Sequence, residues 1–467
     1  MPKLTKVIAT IGPATETEEI MKELILAGMD VARFNTKHGT PEWHLERIHR
    51  IKAVAKELNR AVGVLLDLQG PEIRINLKDE KSFEAKKNDE VKFVSTDPGE
   101  REMNIPQIVI DAIQVGDLVS IDDGICEFEI VKKTEKSLTA KTLNPCVIKH
   151  RKTMNTPGIV INMPSLIDND LVQLDNMTDK DIDFVGLSFV RNKKDIAILR
   201  DELKKRNLHA DVISKIENQA ALDNLDEIIE ASDGVMVARG DLAVEVPFEQ
   251  LAYWQKLIIE KSRTAGKPVI TATQMLESMT FNPRPTRAEV SDVANAIYDG
   301  TDAVMLSGET TLGKYPVKCV ETQSKIALFN EPYAENYLWE FTGQDCVSAI
   351  TCAAFNLLAN RPDSVDKIVL LTRTGRTAKT FSRFRPGISV KALTANGHAF
   401  NKLSLAFAID PILVEPEFFH YGTEDELVNN LKEHGIVKKG EKILIIASFA
   451  KDINNRRTDS LALVQIE

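Results

Sequence analysis

Between residues 7 and 309, eight short apolar runs recur in a 467-residue chain, with amphipathic stretches between most of them. They read VIATIG (7–12), VARFNT (31–36), GVLLDLQ (63–69), FVGLSFV (184–190), DVISKIE (211–217), GVMVAR (234–239), KPVITATQ (267–274) and AVMLSGE (303–309). Runs of this length without strict alternation are what parallel strands buried on both faces require. Eight of them with helices between is the closing number of an α/β (β/α)8 barrel, the TIM barrel. An open doubly wound sheet of the same strands is the rival arrangement.

Two departures from that period divide the chain. Residues 71–156 carry short alternating runs (VKFVST, DLVSIDDG, ICEFEIVKK, SLTAKTL) and turn residues but no convincing helix, which predicts a small all-β domain inserted in one barrel loop. After residue 332 the pattern restarts with a helix (CVSAITCAAFNLLANR), a strand (KIVLLT), a second helix (RTAKTFSRFR) and further strands (SVKALT, KILIIAS), which predicts a separate α/β domain. The expected division is 1–70 and 157–332 for the barrel, 71–156 for the insert and 333–467 for the last domain.

Composition narrows the function. A net charge of −10 argues against nucleic acid as a partner, while leaving room for small anions in a local positive cleft. No run is apolar enough to cross a membrane, and MPKLTKVIAT lacks the core of a signal peptide. Cysteines 126, 146, 319, 346 and 352 are scattered without CxxC spacing, so reduced thiols in a cytoplasm are expected, with neither disulfides nor a zinc site.

In a (β/α)8 barrel, chemistry gathers at the C-terminal strand ends, where inward side chains recur every second residue. Those ends offer Arg33, Asn35 and Lys37; Asp67, with Glu72 and Arg74 just beyond; Lys215 and Glu217; Arg239, Gly240 and Asp241; Thr271 and Thr273; Ser307 and Glu309. So many buried polar groups are expensive unless partnered, and an ion-paired cap on the barrel is the bland alternative to a site. Glu217 and Asp241 sit at adjacent strand ends, and two carboxylates with other positions left to water and substrate suit Mg²⁺ or Mn²⁺. Lys215 points into the same space, and Arg33 and Arg74 add forked donors for phosphate. The set describes phosphoryl transfer or enolate chemistry. Two weaker signals are GPATETEE (12–19), whose free N–H groups could meet a phosphate, and TRTGRTA (372–378), a phosphate cradle or simply a capped helix start.

The stretches TKVIATIGPAT, LLDLQGPEIR, SKIENQAALDNLDEIIEASDGVMVARGDLAVEVP and TATQMLESMTFNPRPTRAEVSDVANAIYDGTDAVMLSGET closely resemble pyruvate kinases. The resemblance implies a barrel with a mobile β-barrel lid after the third strand, a regulatory C-terminal domain, and a homotetramer. It also implies transfer of a phosphoryl group from phosphoenolpyruvate to ADP, giving pyruvate and ATP. By the same resemblance Glu217 and Asp241 hold the divalent metal, Lys215 balances charge on the phosphoryl group and enolate, and Arg33 holds the phosphoryl group. Gly240, Asp241 and Thr273 hold the substrate carboxylate, and Thr273 and Ser307 belong to the path that protonates the enolate. Asn35, His38, Arg74 and Lys152 fall where relatives contact the nucleotide or its metal. The loop Thr372, Thr374, Gly375, Arg376 and Thr377 falls where relatives bind phosphorylated effectors, helped by a second loop that here carries Lys451, Arg456 and Arg457. A metal-dependent lyase and a catalytically silent relative are the rival readings; the retained nucleotide-side residues argue against the first, and Lys215, Glu217, Asp241 and Thr273 against the second.

The chain departs from its relatives where they bind K⁺. Most of them read NFSHG and LDTKGPEIR; here the sequence is NTKHG and LDLQGPEIR, and relatives that need no K⁺ share LDLQGP but place a lysine where Glu72 stands. The implied cation site uses Asn35, Asp67, a serine replaced by Lys37 and a threonine replaced by Leu68. The expectation is that K⁺ is not required and that the Lys37 ammonium occupies the vacated place beside Asn35 and Asp67. Ala243 for glycine in GDLAVE is a milder change, expected to shift packing only.

Overall fold

The structure is a computed structural model that describes residues 3–334, 345–361, 364–449 and 458–467. Eight parallel strands close into a barrel: β1 (Lys6–Thr10), β2 (Val31–Asn35), β3 (Gly63–Asp67), β4 (Phe184–Leu187), β5 (Asp211–Ile216), β6 (Gly234–Ala238), β7 (Val269–Ala272) and β8 (Ala303–Leu306). Each pairs with its sequence neighbours, and β1 closes on β8. Strand parity sorts the side chains as expected. Ile8, Val31, Leu65, Phe184, Ile213, Met236, Ile270 and Met305 fill the barrel, while Val7, Phe34, Val64, Leu66 and Val212 pack outward with the helices.

The long β3–β4 connection is a β domain with its own core. Its seven-stranded sheet runs from Asn76–Leu77 at one edge to Met154–Asn155 at the other, with a separate ladder between Phe83–Ala85 and Cys146–Ile148. Phe93 and Phe128 meet edge-to-face at its centre, 5.7 Å apart. The expectation of no helix there is corrected by one short turn of helix at Gln107–Ala112, whose Val109 and Ile110 bury against the sheet. Its six residues are too few to show helical periodicity.

The last domain is a five-stranded sheet in the order Ile409–Leu413, Val390–Thr394, Lys367–Leu371, Lys442–Ala447, Ser460–Gln465, with only the final pair antiparallel. It docks under the barrel floor. Leu405 enters the barrel core, and Arg385 donates to Asp302 at 2.7 Å. Lys402 reaches Asp211, at the N-terminal end of β5, at 2.6 Å. The opposite end of the barrel is left to the lid and the site. Among the described residues no helix is long and apolar enough to cross a membrane.

Candidate active site

Parity delivers Arg33, Asp67, Lys215 and Glu217 to one buried cluster at the barrel mouth. Asp67 is 1% exposed, and its Oδ2 accepts from Arg33 Nε at 2.8 Å and Nη2 at 2.6 Å. Arg33 Nη1 donates to Thr10 Oγ1 at 2.9 Å. The Lys215 ammonium lies 2.8 Å from Glu217 Oε1, 2.7 Å from Ser188 Oγ and 3.4 Å from Asp67 Oδ1. Gly186, two residues before Ser188, leaves room for this: a Cβ there would stand 2.8 Å from Asp67 Oδ1. Phe189, at φ +54°, turns its N–H onto Glu217 Oε2 at 2.6 Å.

Electrostatics divide the cluster. Burial would raise Asp67, but Lys215 and Arg33 outweigh it and hold the carboxyl below its ordinary value. Burial would lower Lys215, but Asp67, Glu217 and Asp241 hold it well above normal, so it stays charged. Glu217 is pushed up to about 7 by burial, with Lys215 offsetting only part. Asp241, in the first turn of the helix Arg239–Glu245, is also pushed up by burial, with Lys215 and then Lys37 pulling it back. Two adjacent carboxylates driven toward protonation are short of positive charge, which fits a divalent cation. Among the described residues no group of three or more His, Cys, Asp or Glu gathers as a metal cage. A pair of carboxylates with water and substrate oxygens is how Mg²⁺ is held beside phosphates.

Opposite Lys215, Thr273 Oγ1 accepts the Gly240 N–H at 2.8 Å. Parity alone would turn Thr273 outward with Thr271, because Ile270 and Ala272 face the barrel. Thr271 does face away, bonding Thr301 Oγ1 at 3.0 Å, so its expected place at the mouth is corrected. Thr273 reaches the site because it and Gln274 are left-handed (φ +66° and +54°), which ends the strand and folds the loop over Gly240. Arg239 holds that loop from behind by donating to the Thr273 carbonyl at 2.6 Å. Ser307 stands at the end of β8, its N–H held by the buried Glu309 at 2.7 Å.

Lys37 is placed otherwise than expected. β2 ends at Asn35, so parity no longer governs Lys37, and its ammonium binds Glu72 Oε1 at 2.7 Å rather than Asp67. Asn35 Oδ1 accepts the Lys37 backbone N–H at 3.2 Å. Glu72 also accepts from Thr153 Oγ1 at 2.6 Å and Arg74 Nε at 2.8 Å, which join the lid's outgoing and returning strands. Burial would raise Glu72, but Lys37, Thr153 and Arg74 hold it low and charged. Leu68 is corrected too. Its side chain is buried in the barrel–helix layer, and its carbonyl, taken by Ser188 Oγ at 2.7 Å, is what faces the site.

The remaining nucleotide-side residues rim the cleft. His38 is exposed, and burial together with Lys37 and Arg74 lowers its pKa. Lys152 pairs with Asp122 of the lid at 2.6 Å. The N–H groups of residues 12–15 are not free as expected: Gly12 donates to Thr15 Oγ1, Ala14 to the Thr311 carbonyl and Thr15 to the Gly12 carbonyl. In the last domain Thr372 Oγ1 caps the Gly375 N–H at 3.0 Å, Thr377 meets Thr458 at 2.7 Å, and Arg376 pairs with Asp345 at 3.1 Å. These border a cleft of about 770 Å³ that also includes Thr374. Lys451, Arg456 and Arg457 lie outside the described residues. Thr10 and Ser188 were not legible as site residues: each is a lone hydroxyl in an apolar strand, marked only by sharing the parity of Ile8 and of Gly186.

Comparison with known proteins agrees with this architecture. The family model "Pyruvate kinase, barrel domain" matches residues 2–320, and "Pyruvate kinase, alpha/beta domain" matches 348–464. A pyruvate kinase of Staphylococcus haemolyticus is 40% identical over 459 residues, covering 95% of this chain and 77% of that protein. One from Geobacillus stearothermophilus is 39% identical over 461 residues, covering 96% and 78%. The crystal structure of a Cryptosporidium parvum pyruvate kinase superposes with a TM-score of 0.90 at 31% identity, covering 100% of this chain and 96% of that one. The chain is thus a phosphotransferase built on a (β/α)8 barrel. It belongs to the pyruvate kinase family, and its reaction is phosphoryl transfer from phosphoenolpyruvate to ADP, yielding pyruvate and ATP.

Proposed function

We propose that the buried cluster at the mouth carries this reaction, with Lys215 at its centre. Arg33 and Lys215 grip the phosphoryl group, and Lys215 offsets the charge that appears on the enolate oxygen as the phosphoryl group leaves. Glu217 and Asp241 hold Mg²⁺, or Mn²⁺, which supplies Lewis-acid stabilisation of phosphoryl and enolate oxygens when bound. The Gly240 and Asp241 N–H groups and the Thr273 hydroxyl seat the substrate carboxylate, which takes the Gly240 N–H over from Thr273 Oγ1. Thr273 and Ser307 lie on the route by which the enolate gains its proton. Asn35, His38, Arg74 and Lys152 face ADP from the barrel and the lid. The observation that carries the reading is the Lys215 ammonium, half-buried and shared by Glu217, Ser188 and Asp67 beside Arg33.

The working units are the barrel of 1–70 and 157–332, the lid of 71–156 and a regulatory domain of 333–467. The loop Thr372–Thr377 takes a phosphorylated effector, and the enzyme is a cytoplasmic homotetramer that binds neither nucleic acid nor membrane. It needs no K⁺. Lys37, held by Glu72 and pulling Asp241 down more than Glu72 pushes it up, supplies the charge on the metal side that relatives draw from the ion at Asn35 and Asp67. The test is an initial-rate assay of pyruvate formation in buffer free of Na⁺ and K⁺. The rate is expected to stay within about twofold as KCl is added beyond its ionic-strength effect, and Lys37→Ser alone to make turnover depend on K⁺. Strong activation of the unaltered enzyme by K⁺ but not Na⁺ would discard the idea.

A further inference from the structure

The helix Arg239–Glu245, which presents Gly240 and Asp241, has only seven residues, and a helix that short takes its orientation from what holds its ends. At its start the Gly240 N–H is fixed on Thr273. At its other end Glu245 leaves the barrel and meets the lid. Glu245 Oε1 accepts from Asn155 Nδ2 at 3.3 Å. Asn155 is 7% exposed, ends the lid's last strand and pairs with Ser120 across the sheet; its Oδ1 has no partner among the described residues. The lid touches the helix once more. Its tight turn at 122–125 places Gly124 (φ +83°) over Val244, where a Cβ would stand 3.2 Å from Val244 Cγ1. The helix is therefore a strut between β7 and the lid, and Asp241 lies about one turn from the lid-held end.

We propose that Glu245 is a positioning residue for phosphoryl transfer: its bond to Asn155 carries the lid's position into the helix that presents Gly240 and Asp241. The proposal rests on the reading of those two residues as substrate and metal contacts. When the lid moves, Asn155 moves with it, and the carboxylate end of the strut follows. Displacements of about 1 Å at a reacting centre cost up to ~10²-fold in rate, so a coupling through one short helix is enough to gate chemistry.

The test uses the full-length enzyme and amide hydrogen exchange of residues 240–246, with and without Mg²⁺ plus ADP and in the absence of phosphoenolpyruvate. Nucleotide addition is expected to slow exchange there in the unaltered enzyme, and Asn155→Ala and Glu245→Ala are each expected to abolish that response. Each variant should lower kcat/KM by roughly 3- to 30-fold. The double variant should lose no more than the worse single one, because one contact is removed twice. Glu245→Gln keeps an acceptor for Asn155 Nδ2 and should recover most of the loss. Absence of any nucleotide response in the unaltered enzyme, an unchanged response in Asn155→Ala, or single effects that multiply would each overturn the proposal. Asp241→Ala separates the two readings: if it keeps normal turnover the site assignment fails, whatever the exchange data say of the strut.

Discussion

The barrel mouth and the loop Thr372–Thr377 both lie where a parallel strand gives way to a helix, and both offer cations and hydroxyls in sequence. The structure builds them by opposite means. At the mouth the charges are buried and locked together, with Arg33 8% exposed and Asp67 and Glu217 each 1% exposed. At the loop the Arg376–Asp345 ion pair is mostly in water, beside an open cleft where Thr372 caps a turn and Thr377 meets Thr458. An exposed pair of that kind is worth about 0–1 kcal/mol, whereas losing one partner of a buried network leaves the other charge stranded. The mouth is thus committed to one arrangement of charge before any ligand arrives. The loop commits to nothing and can stand empty at little cost. That difference sets the order of expected effects.

The largest belongs to the carboxylates. Glu217→Ala or Asp241→Ala should lower kcat at saturating substrates by at least ~10²-fold with the circular dichroism spectrum unchanged. Near-normal turnover in either would remove that residue from the metal and weaken the contrast. Lys215→Met should come next. Its charge matters most as the enolate forms, so kcat should fall by ~10²-fold while KM for phosphoenolpyruvate moves far less. A change confined to KM would make Lys215 a binding residue, and the mouth would differ from the loop only in burial.

How much of this the sequence could carry follows from chain geometry. Inside a strand, and one residue beyond it at Glu217, the period of two holds, so Arg33, Asp67, Lys215 and Glu217 are readable as one face. Farther past the strand end it does not. Lys37 lies two residues beyond Asn35 and turns to Glu72, and Thr273 enters the site through left-handed backbone that no alternation encodes. Glu72 gathers Lys37 from 35 residues away and Thr153 from 81, a meeting that only the folded lid creates. Leu68 misled for the converse reason: its parity, read strictly, already turned the side chain away from the site and left only its carbonyl facing it.

The pH dependence of metal activation sharpens the same contrast at a smaller scale. Glu217, near 7 without metal, carries a proton through part of the neutral range, and that proton must leave before a cation binds. Because the folded-state value is raised, competition is strong below 7 and fades above it. Between pH 8 and pH 6 the half-saturating Mg²⁺ concentration should therefore rise by about tenfold, read from initial rates at fixed substrate. A flat profile would mean that the pair is already ionised, and the mouth would not be short of positive charge.

The smallest effect is expected at the loop. Thr374 borders the cleft between the capped turn of Thr372 and Gly375 and the Arg376–Asp345 pair. A carboxylate placed there mimics a bound anion in charge but can reach only partly exposed donors, whose interactions are screened at ordinary salt. Thr374→Glu should therefore leave kcat alone and shift the phosphoenolpyruvate saturation curve by roughly twofold, the reach of an interaction worth a few tenths of a kcal/mol. It should also block any larger shift that a sugar phosphate or nucleoside monophosphate produces in the unaltered enzyme. The two arms are read together. If no phosphorylated compound moves the curve and Thr374→Glu is silent, Thr372 and Gly375 form a helix cap and nothing more, and the openness of the loop marks the lack of a ligand. If Thr374→Glu instead cuts kcat as deeply as Lys215→Met, the loop is mechanically tied to the mouth. A water-screened ion pair and hydroxyl contacts would then transmit as much as the buried charges of the mouth.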